Sequence, residues 1–209
     1  PVLGPILSAH GFGIAVPGEL ADRPLAELFD RIGSWHPERT RVEFDMWVSS
    51  HSPQEAVDQL VGVLSDYTDP QWPVAVMDLA GRLGPDLEEV TVRKMLDTPA
   101  RGHAMGWFTD TDALDVEIDH EAMLRAGVEL MSMHASGDSD DELLELIGNI
   151  DDIDGFIDDV WRLPIPAAVV VLEGIGRVHP DKHVAKVARK AVFRHRSKIA
   201  NLGAEQRRT

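Results

Sequence analysis

The chain has 209 residues, 44% of them hydrophobic and 27% charged, with 36 acidic against 20 basic side chains and a formal net charge of −16. That is the balance of an ordinary globular chain, long enough for one sizeable core, and a single domain over residues 1–200 is expected. There is no cysteine, which excludes disulfides, thiolate nucleophiles and Cys-ligated zinc or iron–sulfur sites. The acidic charge argues against wholesale binding of nucleic acid or anionic membrane, and no run of about 18 apolar residues predicts a membrane-spanning helix.

Residues 1–22 carry the weakest signals. Positions 2–9 are compatible with a short apolar helix halted by Gly11 and Gly13, and Pro17-Gly18 marks a turn. No basic flank precedes the apolar start, so no signal peptide is expected, and a cytoplasmic location is. Residues 24–32 predict a helix with Leu25, Leu28, Phe29 and Ile32 on one face and Pro24 in its first turn. Residues 41–49 predict a short helix, with a strand as the alternative because Val42, Phe44, Met46 and Val48 alternate. Ser52-Pro53-Gln54-Glu55 has the form of a capping box and opens a helix to about residue 65.

A helix from Asp69 or Gln71 runs to residue 83, where Gly84-Pro85 stops it. Helices over 87–96 and from Thr98-Pro99 to about 107 follow. The polar, acidic residues 109–119 read as the longest loop, and Asp119 as the cap of a helix over 121–134. A turn at 137–139 leads to helices over 140–150 and 153–161.

Residues 165–197 read as two helices joined by a tight turn. From Ala167 to Val178 only Glu173 and Arg177 are charged, and a helix apolar nearly all round is a buried one. His179-Pro180 ends it, and Asp181 can cap the next. In that next helix Val184, Val187, Ala188, Ala191 and Ile199 share a face, opposite Lys182, Lys186, Arg189 and Lys190. Residues 201–209 are expected to fray.

The turn in this pair has a counterpart. Residues 74–86 (VAVMDLAGRLGPD) and 169–181 (VVVLEGIGRVHPD) coincide at six of thirteen positions, and each is followed by a helix with an Arg-Lys pair, Arg93-Lys94 and Arg189-Lys190. Repeated helix–turn–helix units mark α-solenoids. At Leu172, Gly176, Pro180, Asp181, Val184, Ala188 and Ala191 the chain resembles HEAT repeats and their armadillo relatives, over two units or about a third of its length. The expected fold is all-α, with stacked antiparallel helix pairs forming a HEAT-like α-solenoid or an irregular helical bundle.

Two charged segments are candidate surfaces. Residues 138–161 hold ten acidic side chains and no basic one, but no calcium loop: with Gly155 as the loop glycine, Ile150 and Trp161 fall at ligand positions. Residues 177–209 hold ten Arg or Lys against two acidic residues. No metal site is expected from the nine histidines, because His179 and His183 flank a helix-breaking proline. They are read as surface or capping residues. No phosphate loop, nucleophile elbow or dinucleotide fingerprint occurs, and no cofactor or catalytic residue is assigned.

Some HEAT-like proteins are glycosylases of alkylated DNA, so the resemblance admits an enzyme, against which the acidic charge weighs. Trp72 and Trp161 read as packing residues near helix starts. The preferred expectation is a non-enzymatic module that binds another protein through Lys182, Lys186, Arg189, Lys190, Phe193 and Arg194, with the acidic helices over 140–159 as second choice. The alternative is a nucleic-acid-associated protein using the basic helix over 182–198.

Overall fold

The computed structural model describes residues 17–110, 117–135 and 140–206. Among them are eleven helices and no strand: α1 (Leu25–Ile32), α2 (Pro37–Ser50), α3 (Pro53–Gly62), α4 (Gln71–Arg82), α5 (Pro85–Met95), α6 (Arg101–Asp110), α7 (His120–Ala135), α8 (Asp140–Gly148), α9 (Ile153–Val160), α10 (Pro166–Val178) and α11 (Lys182–Gln206). The all-α expectation holds. No described helix is long and apolar enough to cross a membrane. The expected segment at 2–9 and the turn at 137–139 lie outside the described residues.

The helices group into two compact units. The first comprises the described residues up to Tyr67 together with Val74–Thr98, and the second comprises Thr68–Pro73 and the described residues from Pro99 onward.

Proline and caps set the helix starts. Ser52 Oγ accepts from the Glu55 amide while the Glu55 carboxylate accepts from the Ser52 amide at 3.1 Å, completing the capping box of α3. Pro85 proves to be the first residue of α5 as well as the stop of α4, so that helix begins two residues before the predicted start. Asp119 Oδ1 accepts from the Ala122 amide at 3.0 Å and Asp181 Oδ1 from the His183 amide at 2.7 Å, as their positions suggest. The helix predicted after Thr98-Pro99 begins at Arg101 and takes in Thr109 and Asp110, at the expense of the expected long loop.

In the first unit, residues 41–49 are helical, and the strand alternative is excluded. The helix starts earlier, with His36 as its cap and Pro37 in its first turn. Its inward residues are Glu43, Phe44 and Trp47, at helical spacing, whereas Val42 and Met46 are exposed. Trp47 is wholly buried and donates its indole N–H to the Arg23 carbonyl at 3.2 Å. Leu25, Leu28 and Phe29 of α1 pack into the same core, as predicted. Because Pro24 offers α1 no side-chain cap, the Leu25 amide donates instead to Gln59 Oε1 of α3 at 3.2 Å.

In the second unit, α10 is the central helix. It packs on α11, α7 and α8 and buries Ala167, Ala168, Val171, Leu172 and Ile175. Each large aliphatic side chain so buried contributes about 1.5–3 kcal/mol before entropy is counted. Small residues let the helices close up. A Cβ on Gly176 would stand 2.9 Å from Arg189 Cγ and 3.5 Å from the Ala185 carbonyl oxygen of α11. A Cβ on Gly102 of α6 would overlap the Ala122 carbonyl of α7.

The two similar segments do not pack alike. α10 and α11 lie face to face, whereas α5 packs chiefly on α3, with no comparable contact to α4 among the described residues. A Cβ on Gly81, the counterpart of Gly176, would meet only the Glu88 side chain at 3.8 Å. The turns differ too. Gly84 has φ +97°, which only glycine adopts readily, and the matching His179 has φ −66°. Shared residues therefore give related helix pairs with different turns.

Candidate functional site

The site forms where α9 ends against α11. A helix end leaves carbonyl groups without partners, and α11 supplies partners for two of them. His195 Nδ1 lies 3.1 Å from the Trp161 carbonyl oxygen, and Lys198 Nζ donates to the Arg162 carbonyl at 2.6 Å. Since a carbonyl only accepts, His195 Nδ1 carries the proton. Positive side chains at a helix C-terminus also complement its dipole.

Trp161 is the C-cap of α9, so it stands at a helix end, not near a start. Its indole N–H donates to Asp158 Oδ1 at 2.9 Å. That bond, then the Arg162 guanidinium, hold the Asp158 carboxyl below the usual carboxylate range. Two guanidinium groups face the Trp161 ring, Arg162 at 5.0 Å and Arg194 at 5.9 Å from its centroid. Beside them Phe193 is 70% exposed in mid-helix. An open groove of about 800 Å3 runs between Trp161, Arg162, Phe193, Arg194, Ser197 and Lys198.

Of the six residues proposed from sequence, the structure brings Phe193 and Arg194 to this groove. Lys182, Lys186 and Lys190 are exposed on the earlier turns of α11, outside it. Arg189 is partly committed within the fold, donating to the Gly176 carbonyl of α10 at 2.9 Å. Arg196 pairs with Glu173 at 2.6 Å and Arg177 with Asp140 at 2.9 Å, so part of the basic segment is neutralised by α10 and α8. Sequence reasoning missed Trp161, Arg162, Ser197 and Lys198 as groove residues. The i, i+4 step from Arg194 to Lys198 was the available signal.

The histidines divide. His36 accepts from the Glu38 amide as the N-cap of α2, and His179, the C-cap of α10, accepts from the Asp181 amide in the turn that follows. His195, 3% exposed, caps the end of α9 through the Trp161 carbonyl, whereas His103, 6% exposed, is neither a surface nor a capping residue. His103 Nε2 lies 2.9 Å from Glu129 Oε2, whose other oxygen accepts from Arg125 Nε at 2.9 Å. This buried cluster ties α6 to α7. No group of three metal-ligating side chains occurs among the described residues.

In comparison with known proteins, no family model, no curated protein and no solved structure matches the chain.

Proposed function

We propose that the protein is a non-enzymatic interaction module of stacked, HEAT-like helix pairs that binds another protein through the exposed face of α11. The observation that carries this reading is Phe193, a large aromatic 70% exposed in mid-helix beside a groove flanked by Arg194, Arg162 and Lys198. Aromatic and arginine side chains dominate interface hot spots, because they bury much area and donate several hydrogen bonds. A matching partner segment presents acidic residues around an apolar anchor. The stacked-pair reading draws support from the α10–α11 hairpin and its packing on α7 and α8.

The test compares proteins captured from lysate by the unaltered chain and by Phe193→Ala/Arg194→Glu. A protein retained by the first and lost by the second supports the reading. Identical capture by both contradicts it.

A second reading, binding of nucleic acid, is favoured by the exposed Lys182, Lys186 and Lys190 in line with Phe193. Such a stripe tracks a phosphate backbone and offers a ring for base stacking. Its signature is affinity that falls steeply with salt. No binding to single or double strands at low salt removes it.

A further inference from the structure

Lys182, Lys186 and Lys190 stand four residues apart on α11, in steps of about 6 Å along the helix. All three are exposed, and their ammonium groups carry no hydrogen bond or ion pair among the described residues. Like charges at this spacing repel and cost the helix stability, a cost that an opposed row of acids relieves. The same molecule carries such a row. Asp141 and Glu145 also stand four apart on α8, and Asp151 and Asp154 follow where α9 begins. These four carboxylates are exposed and equally unpartnered among the described residues, whereas Asp140 holds Arg177 and Glu142 bonds His134. Leu146, 37% exposed, gives the row an apolar edge on which lysine stems can lie.

The two rows do not meet within one copy. Both α8 and α11 are held against α10, and none of the three lysines reaches one of the four carboxylates. A second copy supplies the row that each lacks, and equal spacing lets the rows lie side by side in register. We infer that the unpartnered face of α11 docks on the acidic row of α8 and α9 of a second copy of this chain. Exposed ion pairs each contribute little, so the association is weak, with a dissociation constant on the order of 0.1 mM. Salt at about 0.1 M screens the repulsion between two copies of net charge −16 beyond about 10 Å. The inference rests on the reading of α11 as a protein-binding face, but it uses the lysine turns and not the groove at Phe193.

The test is analytical ultracentrifugation of the purified full chain, from about tenfold below to about tenfold above that constant. Concentration-dependent association is expected, about tenfold weaker in about 0.5 M than in about 0.1 M salt. Lys182→Glu/Lys186→Glu/Lys190→Glu should abolish it, and so should Asp141→Lys/Glu145→Lys/Asp151→Lys. Mixing the two variants should restore it, since each then offers the row the other needs. Both remain net negative, so recovery on mixing reports the local pairing. Should either triple variant lose helicity, Lys186→Glu and Glu145→Lys, single exposed changes, take their place. A monomer at every concentration, association that persists in either variant alone, or no recovery on mixing would each overturn the inference. Such a result would leave capture of another protein at Phe193 standing, and failure of that capture would leave this test unchanged.

Discussion

Among the described glycines, Gly102 has the least room for a side chain. A methyl group there would overlap the backbone of Ala122, which cannot move without displacing α7. Gly102→Ala should therefore cost about 3 kcal/mol or more, read as a lower urea midpoint. Gly127 lies inside α7, and a Cβ added there would meet nothing within 4 Å, so it should behave oppositely. Gly127→Ala should stabilise by up to about 1 kcal/mol through helix propensity. Acid sensitivity also belongs to single residues. The Ser52 hydroxyl and then its amide hold the Glu55 carboxyl below its ordinary value, and the Ala122 amide does the same for Asp119. A carboxyl lowered in the folded state stabilises above its unfolded value, and that contribution is lost as pH falls through the folded one. Urea midpoints should thus drop below about pH 4, and Ser52→Ala, which removes the N-cap of α3, should lower the midpoint at neutral pH and flatten the drop.

Among the elements, the contrast between α4–α5 and α10–α11 is testable by one pair of substitutions. Gly176→Ala places a methyl group 2.9 Å from Arg189 Cγ and must push that side chain aside, disturbing its bond to the Gly176 carbonyl, and a cost of about 1 kcal/mol is expected. Gly81→Ala meets only ordinary contact and should be neutral or stabilising. Equal costs would mean that the two pairs pack alike after all. The same contrast marks where sequence reading stops. Caps and proline starts were legible, because Ser52, Asp119 and Asp181 act on amides two or three residues away. The burial of α10 was legible from its composition. The inward face of α2 was not, because it includes Glu43, a charged residue whose carboxylate accepts from the distant Gly18 amide at 3.1 Å. Nor was the groove, since His195 and Trp161 meet across 34 positions of sequence. The turns after Arg82 and Arg177 read alike, but glycine in one and histidine in the other select different backbone angles.

Over the whole molecule, charge is the feature that directs the functional reading. A chain of net charge −16 concentrates ten of its 20 basic residues in its last 33 positions. Acidic partners on α8, α9 and α10 hold Arg177, Arg162 and Arg196, while Lys182, Lys186 and Lys190 remain exposed. The surface that is left is basic, helical and carries one exposed aromatic. The most direct measurement is photocrosslinking from p-benzoylphenylalanine placed at Phe193, with Val90, 44% exposed in the other unit, as the control position. The account predicts a discrete protein adduct from position 193 that Arg194→Glu removes and that position 90 does not form. Adducts to nucleic acid, or the same products from both positions, would contradict it.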